Sequence, residues 1–275
     1  MNRVYGVDGC HGGWVVAEAG VHLDKVTFWA TRNPRKLFEK ACAECVILID
    51  IPIGVPDDEP RACDMAARQL LGWPRRSSVF SPPCRRALTA RTFPEALRCN
   101  REVLGTGISK QAYFIMSKIR EVDELMNTSV QRYVREAHPE VIFARLNGAP
   151  MIHNKKRAAG RAERLAVLQR AGLNISDVRL SEERARLGRA QVAPDDLLDA
   201  AACLVAAFHV RAGRGQSVGR VNQTDAKGLL MEIVFCRRLD NAIMPTGAMM
   251  GIATSPSPVM LAIAATARSD AKLNV

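Results

Sequence analysis

Two aspartates stand at points where apolar segments give way to turn-forming residues. Asp8 lies between an apolar segment at 4–7 and a glycine-rich turn, and Asp50 follows the apolar run 46–49. A carboxylate at the end of a buried strand is costly unless something cationic shares the site. The repeated arrangement therefore predicts a single metal or phosphate site that is assembled from distant parts of the chain.

A third group of carboxylates is predicted on a helix. An Ala-rich helix that begins at Pro194 and extends to about residue 210 carries Asp196 and Asp199. Because these two residues are three apart, their side chains project from the same helix face. Such a pair alone is typical of a capped, solvated first turn. Taken together with the two strand aspartates, it favours a shared site.

The net charge of +11 is localised in two basic segments. Residues 85–120 carry eight Lys/Arg against two Glu, and residues 151–191 carry ten against four acids, so each segment has a net charge of +6. Basic segments around carboxylate-bearing strands suit a polyanionic substrate, because neutralised phosphates supply much of the affinity for nucleic acid. Solvated Arg-rich helix faces give the same charge pattern, so charge alone leaves both interpretations open.

The eight cysteines are scattered, and we expect reduced thiols in a cytoplasmic protein without a disulfide-linked partner. Cys42 and Cys45 form a CxxC pair without a second ligand pair, which favours packing over zinc binding. No secretory leader is expected before the first strand. The uncharged stretch 241–267 contains too many Pro and Gly residues for a spanning helix, so no membrane association is predicted.

The predicted elements give an α/β fold with a mixed sheet. Strands are expected at 3–8, 13–19 and 21–30, followed by a helix at 34–44 and a strand that ends at Asp50. Later helices are expected at 59–71, 109–126, 161–171 and 194–210, with a strand at 133–141 and an apolar run at 229–235. One domain is therefore predicted over 1–237, with a helical and loop insertion at about 57–130. The remainder, 238–275, is expected to be a poorly ordered tail.

Several motifs in matching order resemble a known family. They are GVDGCHGGW at 6–14, IDIPIG at 49–54, Arg61 with Cys63 and Asp64, SSVF at 77–80, GISKQ at 107–111, HPEV at 138–141 and the acids of 195–199. Over about residues 3–236 the chain is similar to domain-of-unknown-function family 429, a family of predicted RNase H-like nucleases. The resemblance implies a three-layer α/β/α fold of the RNase H-like type with a mixed central sheet.

The resemblance also implies a set of catalytic carboxylates. It places the metal-binding acids at Asp8, Asp50, Asp196 and Asp199, and the helical pair is similar to that of Holliday-junction resolvases within the same fold. Glu140 is an extra acid that either contributes to the site, as a metal ligand or by orienting substrate, or simply ends a strand.

The expected chemistry is metal-dependent hydrolysis of a phosphodiester in DNA or RNA. Because the candidate ligands are all oxygens, we expect Mg²⁺ or Mn²⁺. Two such ions, at roughly 3.5–4 Å, would activate water and stabilise the leaving oxygen. His138 is either a proton-transfer group or a structural histidine. The side chains expected to bind substrate are Arg75, Arg76, Ser78, Arg85, Lys110, Lys155 and Lys156.

Two other classes of function remain open. Nucleotide-dependent phosphotransfer uses a related core in actin-like ATPases and sugar kinases, but that class needs two such cores, and one core takes up nearly this whole chain. A catalytically inactive nucleic-acid or protein-binding module is the second alternative. The aromatic content of 5% weakens the idea of a single-strand stacking platform. A metal titration separates this module from the enzymes.

Overall fold

The structure, a computed structural model, describes residues 3–237, and the predicted tail at 238–275 lies outside these residues. Its main sheet has five strands in the order β3-β2-β1-β4-β5. They are β1 (Arg3–Cys10), β2 (Gly13–Ala19), β3 (Thr27–Thr31), β4 (Cys45–Ile49) and β5 (Val134–Glu136). The first three pair in antiparallel fashion, whereas β1, β4 and β5 are parallel. The predicted α/β class and mixed sheet are therefore confirmed.

Ten α-helices surround or extend this sheet within residues 3–237. They are α1 (Arg35–Phe38), α2 (Ala62–Leu71), α3 (Phe93–Leu104), α4 (Lys110–Phe114), α5 (Met116–Leu125), α6 (Thr128–Gln131), α7 (Pro139–Asn147), α8 (Ala158–Arg170), α9 (Asp177–Leu187) and α10 (Pro194–His209). A second, two-stranded sheet pairs β6 (Gly215–Val218) with β7 (Ile233–Cys236). None of the described helices is long and apolar enough to cross a membrane.

Alternating side chains divide the core into two apolar layers. On β1, Val4 and Cys10 belong to the layer that contains α10, whereas Tyr5 and Val7 belong to the layer that contains α5. The strand β4 divides in the same way, with Leu48 in the α10 layer. Since successive side chains of a strand point to opposite faces, even-numbered residues of β1 and β4 face α10. This alternation places the side chain of Asp8 on the α10 side of the sheet.

The helix α10 packs directly on the backbone of β1. A Cβ atom at Gly6 would overlap the backbone nitrogen of Leu204 and the backbone oxygen of Ala200. The glycine is therefore required by the close approach of helix and strand. Most residues of α10 are buried, so the helix runs through the core rather than over the surface.

Several predicted elements differ from the observed ones. The third strand begins at Thr27 rather than at 21, and the segment predicted as a strand over 133–141 ends at Glu136. Pro139 then opens α7, because proline suits the first turn of a helix and cannot donate to a sheet. The helix predicted over 109–126 is broken at Ile115 into α4 and α5. The helix predicted over 34–44 is the shorter α1, which ends at Phe38, and α3, α6 and α9 have no counterpart among the predicted elements.

The cysteines agree with the expectation of reduced thiols. All eight are free and seven are buried, with Cys42 as the exposed one. Cys45 lies in β4, so the CxxC pair ends in the core of the sheet.

Candidate active site

Asp8 and Asp50 lie side by side on the α10 face of the sheet. Val7 pairs with Ile49 in the parallel register, and the backbone N–H of Asp50 donates to the carbonyl of Val7 over 2.9 Å. Asp8 and Asp50, the residues that follow this pair, are therefore neighbours. Asp8 lies within β1, which continues to Cys10, so it precedes the end of the strand by two residues. Asp8 is almost fully buried and Asp50 is half-buried.

Asp199 joins these two carboxylates from α10. It is 1% exposed, and its Oδ1 atom has no hydrogen-bond partner among the described residues. Burial, and then the charges of Asp50 and Asp199, raise the pKa of Asp8 well above its usual value. Burial likewise raises the pKa of Asp50, and it raises the pKa of Asp199 to about 6 against the opposing effect of Lys155. We call these three residues the acidic cluster.

Asp196 occupies a more peripheral position than Asp199. Its Oδ2 atom accepts a hydrogen bond of 2.7 Å from the backbone N–H of Ala193, which caps the start of α10. Burial raises the pKa of Asp196 to about 6, and the bond to Ala193 opposes this shift. The side chain is half-buried, and its charge raises the pKa of Asp8 less than those of Asp50 and Asp199 do. Asp196 therefore combines a capping role with a place at the edge of the cluster.

Lys155 brings a positive charge to the acidic cluster. Its Nζ atom lies 2.5 Å from Oδ2 of Asp199 and 3.8 Å from Oδ2 of Asp195. Burial acts to lower the pKa of Lys155, but the carboxylates of Asp199, Asp8 and Asp50 outweigh it and raise the pKa. The lysine, predicted as a substrate-binding residue, is thus an ion-pair partner of the acids in this structure.

The loop that carries Lys155 is fixed by contacts on both sides. Both oxygens of the Glu163 carboxylate accept backbone N–H groups of residues 152 and 153. Arg164 donates to the carbonyls of His153 and Gly160, at 3.1 and 3.0 Å. A Cβ atom at Gly160 would overlap the carbonyl of Asn154, so this turn also needs a glycine. These contacts therefore fix the backbone of the loop from which the Lys155 side chain reaches the acids.

Glu140 lies beside the cluster, where it pairs with a buried arginine. Its Oε1 atom accepts from Arg164, and both side chains are almost fully buried. The Oε2 atom of Glu140 has no partner among the described residues. The charge of Glu140 acts to raise the pKa of both Asp50 and Asp199, which places it near them. Glu140 lies in the first turn of α7, so the alternative that it ends a strand is wrong.

His138 connects the cluster to the segment 75–78. Its Nε2 atom lies 3.2 Å from the carbonyl oxygen of Ser78, and its buried Nδ1 atom has no partner among residues 3–237. The charge of His138 acts to lower the pKa of Asp50. His138 thus lies next to the acids, between Asp50 and the segment 75–78.

The predicted basic residues fall into different environments. Arg75 donates to the carbonyls of residues 151 and 152, so it holds the loop that carries Lys155. The side chains of Arg76 and Lys156 make no hydrogen bond or ion pair to any described residue, and Lys110 is exposed at the start of α4. Arg85 differs, because Asp57, Asp123 and Asp225 surround its guanidinium at 2.5–3.1 Å. The Ser78 hydroxyl donates to the carbonyl of Arg75.

A polar cavity of about 370 Å³ opens at the turn between β1 and β2. It is lined by His11, Gly12, Gly13, Arg32, Lys118, Glu121 and Gln191. Lys118 donates to the carbonyl of Gly13 over 2.5 Å and lies 4.6 Å above the ring of Trp14. Sequence reasoning missed Lys118, although its place on the predicted amphipathic helix after the GISKQ motif was available as a signal.

The donor set of the acidic cluster suits a hard divalent cation in its chemistry. All candidate ligands are carboxylate oxygens, and unpartnered buried oxygens of Asp199 and Glu140 are available. In the arrangement that the structure describes over residues 3–237, no three His, Cys, Asp or Glu side chains stand as a ready ligand group. Ion binding therefore requires side-chain rearrangement, and the ion pair of Lys155 with Asp199 is the contact that competes with it.

Comparison with known proteins gives one match. The sequence model of a family described as "Protein of unknown function (DUF429)" matches residues 6–224, which is most of the chain. No curated protein and no solved structure matches the chain. The matched segment begins just before Asp8 and ends after α10, so it contains the whole acidic cluster.

Proposed function

Since the chain belongs to the DUF429 family, whose description assigns no activity, we propose from its site that it is a metal-dependent nuclease of the RNase H-like type. The observation that carries the proposal is the convergence of Asp8, Asp50 and Asp199. Three elements remote in sequence bring these acids together at a cost, since burial raises the pKa of all three and the charge of Asp50 further raises the pKa of Asp8 and of Asp199. A divalent cation is the simplest compensation for such a cost.

The sheet topology supports the same proposal. An antiparallel meander, β3-β2-β1, continues into the parallel strands β4 and β5, and a long helix crosses the face that carries Asp8. The RNase H-like fold implied by the sequence resemblance has such a mixed sheet and such placement of acids on its first strand, its fourth strand and a late helix. Fold alone does not establish activity, so the acids carry the argument.

The residues of the chain have distinct roles in this proposal. Asp8, Asp50 and Asp199 would hold Mg²⁺ or Mn²⁺, with Asp196 and the free oxygen of Glu140 at the edge of the site. When bound, such ions supply an activated water and charge stabilisation for phosphodiester hydrolysis. The exposed side chains of Arg76 and Lys156, which have no partner among the described residues, would neutralise the phosphates on either side of the scissile bond. His138, next to Asp50, is in position to carry a proton.

Cleavage assays with the Asp50→Asn variant test the proposal. The full-length protein is incubated with labelled DNA and RNA of mixed structure in Mg²⁺, in Mn²⁺ and in EDTA. We expect cleavage only with a divalent ion, and loss of cleavage in Asp50→Asn while binding persists or tightens. Asp24→Asn is the matched control, because Asp24 is exposed in the connection between β2 and β3. Cleavage that persists in EDTA or in Asp50→Asn would contradict the proposal.

Binding to nucleic acid should weaken steeply with salt. Each phosphate that is neutralised releases counterion, so the logarithm of the binding constant falls linearly with the logarithm of salt concentration. We expect this slope to decrease by about one when Lys156, whose exposed side chain has no described partner, is replaced by Met. A slope near zero for the unmodified protein would instead favour a protein-interaction module.

Phosphotransfer remains a second candidate on one observation. The cavity at the glycine turn between β1 and β2 brings Arg32 and Lys118 beside Gly12 and Gly13, where a nucleotide phosphate would be stabilised. Against it stands the single five-stranded core of residues 3–237, since that class uses two cores. Tight binding of ATP, with no binding of any oligonucleotide at low salt, would replace the nuclease proposal with this one.

A further inference from the structure

A surface patch on the α10 side of the sheet combines an exposed aromatic ring with arginines. Trp73 is 83% exposed and Met65 is 54% exposed, which is unusual for such side chains. Together with Arg68, Gln69, Gly72 and Arg76 they line a shallow cavity of about 460 Å³. We call these six residues the Trp73 patch. Since α2 packs through Cys63 and Ala67 into the apolar layer of α10, the patch lies on the side of the sheet that carries Asp8.

The other two tryptophans show how unusual this position is. Trp14 is fully buried, and Trp29 is half-buried with its Nε1 atom bonded to Glu18 over 2.9 Å. Trp73 has no such partner among the described residues. Exposed apolar surface of this kind, with Met65 beside the ring, is typical of a binding site, so we expect a ligand that covers the face of Trp73.

Two contacts connect the patch to the acidic cluster. Arg75, two residues after Trp73, donates to the carbonyls of residues 151 and 152 at 2.7 and 2.6 Å, just before Lys155 in the same loop. The carbonyl of Ser78, at the end of the same short helical turn, lies 3.2 Å from Nε2 of His138. The segment 73–78 is therefore fixed against both the loop of Lys155 and the start of α7.

The charge around Trp73 indicates what kind of ligand covers it. The side chain of Arg76 makes no hydrogen bond or ion pair within residues 3–237, so its guanidinium is available to an anion. Arg68 is held in place by the carbonyl of Val79 and the hydroxyl of Ser81. No acidic side chain lines the cavity. An aromatic face between cationic groups suits an unpaired nucleobase with its own phosphates, since bases stack on aromatic rings and arginines neutralise the backbone.

We propose that the Trp73 patch binds an unpaired nucleobase of the nucleic-acid substrate, with Trp73 stacked on the base and Arg76 on an adjacent phosphate. This inference rests on the proposed nuclease function and specifies its substrate as single-stranded, or as carrying an unpaired base beside the cleaved bond. The low aromatic content of the chain fits one stacked base rather than a long platform. A paired base within a regular duplex does not offer its face, so an intact duplex is the poorer ligand.

Tryptophan fluorescence provides a readout that is independent of cleavage. The full-length Asp50→Asn protein is titrated in Mg²⁺ with a single-stranded oligonucleotide and with an abasic strand of the same length. We expect quenching by the base-containing strand alone, because only a base stacks on the ring. The quenching should disappear in the variant that also carries Trp73→Phe, which retains a stacking ring and most of the affinity.

Affinity measurements with a second variant complete the test. Trp73→Ala should weaken binding of the base-containing strand by roughly 5- to 100-fold and leave binding of the abasic strand unchanged. Phe114→Ala is the matched control, because Phe114 is 73% exposed but adjoins Tyr113, which packs in the α5 layer. Equal affinity for the two strands, or equal loss in both variants, would overturn the inference and leave the patch as a protein contact.

The two proposals fail separately. If the unmodified protein cleaves nucleic acid while Trp73→Ala changes neither affinity nor cleavage, the inference is wrong and the nuclease proposal stands. If the base-containing strand quenches Trp73 but no divalent ion supports cleavage, the base-binding site stands and the nuclease proposal is wrong.

Discussion

Nζ of Lys155 lies 2.5 Å from Oδ2 of Asp199, so a lysine from the loop before α8 neutralises an aspartate in the second turn of α10. This contact gives the acidic cluster an internal cation. It also sets Lys155 in competition with any metal ion that uses the same carboxylate. The ion pair therefore has consequences both for stability without metal and for metal binding.

Replacing Lys155 by Met should destabilise the metal-free protein. The change leaves Asp8, Asp50 and Asp199 without their cation, and removing one partner of a buried pair is costly. Because the lysine side chain is 37% exposed, we expect a modest loss of about 1–2 kcal/mol, or a few degrees in Tm. Thermal unfolding in EDTA measures this loss of stability, and saturating Mn²⁺ should restore the lost stability. Lys156→Met is the control, and an equal effect in both variants would show that charge in general, not this contact, matters.

Replacing Asp8 by Asn should stabilise the protein in the absence of metal. The mutation removes a buried carboxyl group whose ionised form is disfavoured by burial and by the neighbouring acids, so we expect a gain on the order of 1 kcal/mol, or about 2–4 °C in Tm at pH 8. The same variant should lose the stabilisation that Mg²⁺ or Mn²⁺ gives to the unmodified protein. Asp24→Asn provides the reference for a surface charge. A metal-induced shift that survives in Asp8→Asn would exclude Asp8 as a ligand.

Replacing Gly6 by Ala should be severely destabilising. The added methyl group would overlap the backbone of α10 at Ala200 and Leu204, so helix and strand have to separate. Overpacking of this kind costs about 1–3 kcal/mol or more, and the rigid backbone places this site at the upper end. Urea denaturation measures the loss. Gly20→Ala is the matched control, because a Cβ atom there has no neighbour within 4 Å. If the Gly6→Ala protein is as stable as this control, the backbone of α10 does not pack against β1 at Gly6.

His209 should make the folded state sensitive to acid. Burial, and then the charge of Arg214, lower its pKa from 6.5 to about 4, and neither ring nitrogen has a partner within residues 3–237. Between pH 6.5 and pH 4 the histidine is protonated in the unfolded chain but neutral in the folded state. The free energy of unfolding therefore falls as the pH falls from 6.5 to 4. At about 1.4 kcal/mol per pKa unit, the effect amounts to at most about 3 kcal/mol.

The variant His209→Phe isolates this contribution. Its free energy of unfolding, measured in urea from pH 7 down to pH 4, should fall less than that of the unmodified protein. Comparing slopes rather than absolute stabilities removes the effect of repacking the ring beside Phe208. Identical slopes would show that the histidine is already protonated in the folded state, or that it is accessible to water.

The main sheet could be predicted because its strands carry strong local patterns. Apolar runs that end at turn-forming residues define β1 and β4, and the positions of Asp8 and Asp50 follow from them. The predicted third strand is too long at its start. The apolar residues of 21–26 resemble a strand in sequence, but the chain forms turns there and β3 begins only at Thr27. The helix α3 was missed even though Thr92 and Glu95 form a capping pattern with Pro94 in its first turn.

The role of Lys155 had no signal in the sequence. It lies in a loop without periodicity, and its position depends on Arg75, Glu163 and Arg164, which are distant in sequence or on another element. The pairing of Glu140 with Arg164 was equally hidden, because a buried ion pair between α7 and α8 leaves no spacing pattern. Such contacts follow from tertiary packing and not from local preference.

The absence of a side chain at Gly6 has a further consequence for the cluster. Main-chain contact between β1 and α10 sets the distance between the supports of Asp8 and Asp199, so that distance does not adjust through side-chain repacking. Mg²⁺ binds oxygen at about 2.0–2.1 Å and Ca²⁺ at about 2.3–2.6 Å, with more ligands. In the proposed metal site we therefore expect this fixed spacing to favour the shorter oxygen distances of Mg²⁺ over those of Ca²⁺.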